Sequence, residues 1–201
     1  MHKIFENTNL DIKLPICTYK KGEIVFNEGE LATSIGLIIN GNISVKTYTY
    51  YEKEYEINNI SKDGIFGQFV VFSSKPFFVG TAVATKETQI MYISKDKLFD
   101  FFKNRIFFEN YLSLVSAISI TIQNKVKVLS QKEIKDKILF LLVNNLNQNK
   151  SDTIYISSKD KLARYLNVTR PSLSRELINM KNDELIDFGK HFIKLKSSRR
   201  K

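Results

Sequence analysis

A single cysteine, Cys17, rules out an intrachain disulfide and any zinc or iron–sulfur site that draws four thiolates from one chain. Only two histidines occur, His2 and His191, near opposite ends of the 201 residues, so a histidine-built metal centre lacks a donor set. Long apolar runs are missing as well. The longest, residues 138 to 143, is far too short to span a bilayer. Met1 to Lys13 is polar and lacks the apolar stretch of a signal peptide, so the expected location is the cytoplasm, with no membrane as partner. No Gly-x-Ser-x-Gly elbow, Walker loop or Gly-x-Gly-x-x-Gly fingerprint is present, and the clustered His and carboxylate ligands of a metal-dependent jelly-roll enzyme are absent. These gaps argue against an enzyme, a bound metal or a cofactor.

Hydrophobic residues make up 43% of the chain, enough for a proper core. The formal charge of +10 points to a polyanionic partner, and its distribution sharpens the point. Residues 151–201 carry 12 Lys and Arg against 6 Asp and Glu, whereas the other 150 residues carry 19 against 15. The basic excess is concentrated at the C-terminal end.

From about residue 12 to residue 93 short β-rich segments alternate with turns: EIVF, SIGLIIN, a Gly41-Asn42 turn, ISVKTYTYY, EYEINNI, DGIFG, FFVGTAVA and TQIMYI. Such spacing predicts a barrel or sandwich. Ser94 is placed to cap a short helix through Leu98 and Phe102. Beyond Arg105 the period becomes helical, and a heptad seam can be written as Phe108, Tyr111, Val115, Ile118, Ile122, Lys125 and Leu129. At 1.5 Å per residue it runs about 35 Å, longer than a small barrel needs, which favours a partner helix over packing on its own barrel. Ser130 followed by Glu133 is a capping-box pattern and predicts that a new helix begins there. Ile134, Ile138, Leu141 and Leu142 would face a second core, residues 144 to 152 read as a polar loop, and Thr153 to Ile156 as a short strand.

The strongest local signal runs from Ser157 to Lys181. A helix capped by Ser158 turns Leu162, Ala163 and Leu166 inward, the small Ala163 lets a second helix cross closely, and Asn167 suits a left-handed turn before Val168. Thr169 then caps a second helix with Pro171 in its first turn and Leu173, Leu177 and Met180 as its buried stripe. This is helix-turn-helix spacing. Arg170, Ser172, Ser174 and Arg175 remain outward as candidate contacts to base edges in a DNA major groove. Two short strands around Gly189 would form a wing, with Lys190 and Lys194, Thr169 at the helix start, and the tail Arg199, Arg200 and Lys201 as candidate phosphate contacts. The alternative is an ordinary helical hairpin with a solvated basic face.

Taken together, YKKGEIVFNEGE, LIINGNISV and DGIFGQ in the barrel, the helix from Phe108 to Leu129 and VTRPSLSREL in the reading head resemble the Crp/Fnr family of bacterial regulators over nearly the whole chain. The resemblance implies an α+β protein: a jelly-roll β-roll of the cyclic-nucleotide-binding type in residues 1–104, a dimerisation helix in 105–129 and a winged helix-turn-helix in 130–201. It implies a homodimer on an inverted-repeat promoter site in double-stranded DNA, with Phe108, Tyr111, Val115, Ile118, Ile122 and Leu129 at the dimer interface. RNA polymerase and a small-molecule effector of unidentified kind would be further partners.

The family's cyclic-AMP binders carry a glutamate just after a glycine and, about ten residues later, an arginine followed by serine or threonine. Here Gly67 is followed by Gln68, and the arginine–serine pair aligns with Phe78 and Val79. A cyclic phosphate desolvated against phenylalanine without a cation is strongly disfavoured, so no cyclic-nucleotide binding is expected. Haem-bearing members use histidine or cysteine ligands, for which the barrel offers only Cys17 and His2. The aromatic cluster Phe66, Phe69, Phe72, Phe77 and Phe78 is either filled core or, with Gln68, the wall of an apolar effector pocket. Many members also have a glutamate where this chain has Pro171, while the arginine is kept as Arg175. A palindrome with guanine contacts from Arg175, relaxed or AT-leaning where the glutamate would read, is expected.

Overall fold

The computed structural model describes residues 2–48 and 54–196. A 3-10 turn, Lys3–Phe5, precedes eight strands: β1 (Ile16–Tyr19), β2 (Ile24–Phe26), β3 (Ser34–Asn40), β4 (Asn42–Tyr48), β5 (Glu54–Ser61), β6 (Ile65–Phe66), β7 (Thr81–Ala84) and β8 (Thr88–Ser94). Helices α1 (Lys95–Phe102), α2 (Arg105–Leu129) and α3 (Ile134–Asn149) follow. The remainder is β9 (Thr153–Tyr155), α4 (Lys159–Leu166), α5 (Arg170–Asn182), β10 (Ile186–Phe188) and β11 (Phe192–Leu195).

The eight strands form two four-stranded sheets, β1-β8-β3-β6 and β2-β7-β4-β5, with antiparallel pairing throughout. Neighbours in a sheet are mostly distant in sequence, the wiring of a jelly-roll β-roll. Strand β1 escaped the segments picked out by sequence, because the pattern of ICTY is mostly exposed rather than alternating. Between the sheets Phe26, Ile38, Ile43, Phe66, Phe78, Ala82 and Ile90 pack into one apolar cluster. Gly36 is required there, since a Cβ would occupy the space of the Phe66 ring. Gly41 turns the chain between β3 and β4 at φ +96°, with the Thr88 backbone 2.5 Å from where a Cβ would lie.

Two compact units share the chain, Met1–Ala117 and Ile118–Lys201, so α2 gives its first half to one and its second half to the other. In the first unit Phe5 packs on Phe101 (ring centroids 5.7 Å apart) and Phe107 (5.3 Å). Asn104 accepts from the Phe107 N–H at the start of α2 and donates to the Thr8 carbonyl, while Asn110 donates to the carbonyls of Ile4 and Glu6.

In the second unit α3, α4 and α5 cover the three-stranded sheet β10-β11-β9 around a core of Val128, Ile138, Leu142, Leu162, Leu166, Leu173, Leu177, Met180, Ile186 and Ile193. Two expectations fail at the ends of α3. Ser130 closes α2 instead of opening the next helix, its Oγ donating to the Lys127 carbonyl, and α3 starts after Glu133 without a side-chain cap. Residues 144 to 149 are helical, not loop. Asn145 donates to the carbonyls of Ser151 and Thr153, which ties the polar last turn to β9, and Lys150 in left-handed conformation ends it.

His2 is buried and caps the first turn, accepting from the Ile4 N–H on Nδ1 and donating from Nε2 to the Asp63 carbonyl. That arrangement requires the neutral ring, and burial holds its pKa below the ordinary 6.5, against a smaller opposing pull from Asp63. Below that value the released segment binds a proton that the docked one refuses, so docking is at full strength above it and weakens as pH falls. Corrected hydrogen exchange at Ile4 and Phe5 should therefore accelerate from about pH 7 to about pH 5, and His2→Gln should abolish the extra acceleration.

Candidate nucleic-acid interface

Each end of the α4–α5 pair is fixed by the residue the sequence supplies there. Ser158 accepts from the Lys161 N–H, Asn167 leaves α4 at φ 53°, and the Val168 N–H returns to the Ala163 carbonyl. Thr169 caps α5 by accepting from the Ser172 N–H at 3.2 Å. Leu173, Leu177 and Met180 are fully buried, and Ala163 is buried in the same cluster. With that stripe inward, a helix advancing 100° per residue turns Pro171, Arg175, Ile178, Asn179 and Asn182 toward the opposite side, with Ser174 at its margin. All but the half-buried Ser174 are exposed.

The four expected base contacts separate on this geometry. Arg175 is exposed on the outward face and has no ion-pair partner among the described residues. Ser174 flanks it. Arg170, in the first position of α5, is exposed but its Nε lies 3.5 Å from Asp160 of α4. Ser172, at the other margin of this face and also half-buried, has its hydroxyl 2.8 Å from that of Thr169 and so takes part in the cap. Ile178 and Asn179 are on the outward face and were missed. Only the angle set by the three buried residues reveals them.

The wing is held to the helices through Phe188, whose ring lies 4.7 Å from the Lys159 ammonium and 5.6 Å from that of Lys181. Lys181 also bonds Asp187 at 2.7 Å and keeps that carboxyl below its usual range. Lys190 is exposed in the β10–β11 turn, and Lys194 is exposed with Asp152 3.6 Å away. Arg199, Arg200 and Lys201 lie outside the described residues.

Along α2 the seam shifts by one residue at alternate positions. Tyr111 is buried against Phe102 (centroids 5.0 Å apart) in its own unit, which pushes its pKa up to about 12. Its neighbour Leu112 is the exposed one. Likewise the Lys125 ammonium turns toward the Tyr165 ring, 5.8 Å away, and leaves Val126 outside. A stripe along the flank of α2, beside the buried Phe107, Tyr111 and Leu114, runs through Phe108, Leu112, Val115, Ser119, Ile122, Val126 and Leu129 in an unbroken alternation of four and three; Val115 and Ser119 are half-buried and the others exposed. Ile118, half-buried, lies beside it. By length and composition α2 also passes as long and apolar enough to cross a membrane; its other exposed positions mix the apolar Ile106, Ala117 and Ile120 with the polar Arg105, Glu109, Ser113, Ser116, Thr121, Gln123 and Lys127.

Of the two alternatives for the phenylalanine cluster, filled core or pocket wall, the packing of Phe66 and Phe78 is that of a filled core. Phe78 stacks on Phe26 with centroids 3.8 Å apart, Phe66 closes on both, and all three are buried. Phe69 and Phe77 are exposed, and Gln68 is half-buried. Phe66 and Phe78 are therefore core residues, not pocket walls. Among the described residues no three His, Cys, Asp or Glu side chains gather as metal ligands.

Residues 16–105 match the cyclic nucleotide-binding domain family. Over 193 residues the chain is 23% identical to the anaerobic regulatory protein of Bacillus subtilis (strain 168), covering 92% of this chain and 79% of that one. Among solved structures it is similar to CprK complexed with OCPA, at TM-score 0.64 and 20% identity over 90% of this chain and 85% of that one. It also resembles the Thermus thermophilus catabolite activator protein, at TM-score 0.53 and 16% identity over 96% and 93%.

Because Thr169 carries the only side-chain cap of α5, Thr169→Ala should lower the stability of the second unit by about 1 kcal/mol, and Thr169→Ser should restore most of it. Urea unfolding of the two variants measures both.

Proposed function

We propose that this chain, a Crp/Fnr-type transcription regulator in fold and domain order with a cyclic nucleotide-binding domain in residues 16–105, binds an inverted repeat in double-stranded DNA as a homodimer. The observation that carries the reading is the outward face of α5, where Arg175 is exposed and unpaired among the described residues on a helix whose rotation is locked from below. A guanidinium there offers two donors to guanine O6 and N7, worth about 1–3 kcal/mol of discrimination against other bases. Ser174 and Asn179 flank it with hydroxyl and amide groups. Thr169, Lys190, Lys194 and, through its free donors, Arg170 are assigned to phosphates, where they add affinity without sequence preference.

Two copies are brought together by α2. Its largely exposed heptad stripe supplies the apolar seam that a parallel partner helix needs, with Ser119 as the one polar position. An inverted repeat then follows from the two-fold axis, because each copy presents the same helix to its half-site. RNA polymerase is the expected protein partner at a promoter.

Cyclic nucleotides are not assigned as effectors. Phe78 would have to leave its stack on Phe26 to admit one, and Gln68 and Val79 offer the phosphate no cation. The filled interior favours a second reading for the sensor unit, in which DNA binding needs no ligand inside the roll.

Binding-site selection with the purified chain should yield a palindrome, and Arg175→Ala should lose preference at one base pair per half-site; unchanged selectivity would remove Arg175 from base reading. Leu112→Lys combined with Val126→Lys should halve the mass seen by sedimentation, whereas a wild-type mass of one chain would defeat the seam. Calorimetry with cyclic AMP and cyclic GMP should register no binding heat.

A further inference from the structure

Ile178 sits on the outward face of α5 with 53% of its surface open to solvent. Leu173, Leu177 and Met180 already supply the buried stripe, so the fold makes little use of an apolar side chain there. Its companions on that face are Pro171, Arg175, Asn179 and Asn182, with Ser174 at the margin. Helical geometry places Ile178 and Pro171 on the same flank of Arg175, one turn after it and one turn before it.

We infer that Ile178 is a specificity residue that packs on the C5-methyl group of a thymine adjoining the guanine read by Arg175. The inference rests on the DNA-binding reading given above. On the major-groove edges of the four bases, the thymine methyl is the one apolar group. Ile178 lies about 4.5 Å beyond Arg175 along the helix axis, and base pairs are stacked about 3.4 Å apart, so the step it reaches is one or two pairs away. Eight residues from the start of α5, at about 12 Å, it is still within the width of the groove. A cytosine at that step offers no methyl, and an exposed isoleucine facing its amino group would leave that donor without a partner.

The test uses the full chain and duplexes from a randomised pool. A thymine should be fixed within two base pairs of the Arg175-dependent guanine in each half-site. Replacing it by deoxyuridine removes only the methyl and should weaken wild-type binding about fourfold per half-site, the effect of one methyl group withdrawn from water. Ile178→Ala should bind the thymine and deoxyuridine duplexes equally while keeping the guanine preference and the wild-type melting temperature. The proposal is overturned if no thymine is fixed there, if deoxyuridine is bound as tightly as thymine, or if Ile178→Ala still distinguishes the two. A pool from which nothing is enriched would overturn the DNA-binding reading as well, whereas loss of the guanine preference in Arg175→Ala with no thymine effect would overturn the role of Ile178 alone.

Discussion

The rotation of α5 about its own axis is the constraint on which the rest depends. Leu173, Leu177 and Met180 are fully buried in one core with Leu162, Ala163 and Leu166 of α4, and burying them leaves one orientation for every other side chain of the helix. Truncating any of the large ones would open a cavity costing about 2–5 kcal/mol, far more than a turn of surface side chains contributes. The outward face is thus set by residues that are themselves buried. Ala163 allows the close crossing, and the left-handed Asn167 sets the angle at which α5 leaves α4.

In the β-roll unit a similar economy of shape fills the interior with rings. The phenylalanines at positions 26, 66 and 78 fill the space between the sheets, and the missing Cβ of Gly36 makes room for the Phe66 ring. Phe78 stands where the resemblance calls for the cation that would receive a phosphate, so one side chain both completes the core and removes the charge. The ordered N-terminal turn adds a second use of aromatic packing, with Phe5 joining Phe101 and Phe107 at the junction of α1 and α2.

Helix α2 reconciles three demands on one surface. Its first half buries Phe107, Tyr111 and Leu114 in the β-roll unit, its end buries Val128 in the other, and most of a heptad stripe along it stays exposed. A helix with a single apolar face would satisfy one of them. The breadth of its apolar surface is what makes its composition resemble a membrane span, and the polar residues between the stripes are what set it apart.

Local chemistry was legible in the sequence wherever a residue type dictates its own backbone. Ser94, Ser158 and Thr169 cap the helices expected of them, Asn167 turns left-handed, and the stripes of α4 and α5 are buried as their spacing requires. Choices between equivalent neighbours were not legible. Tyr111 and Leu112 both fit a heptad, and only the Phe102 and Phe107 rings decide that the tyrosine turns inward; Ser130 fits a helix start or a helix end, and the Lys127 carbonyl decides. Whether the phenylalanines of the β-roll enclose a space or fill it is likewise a matter of three dimensions, because composition fixes the volume of side chains available but not the distance between the sheets that must hold them.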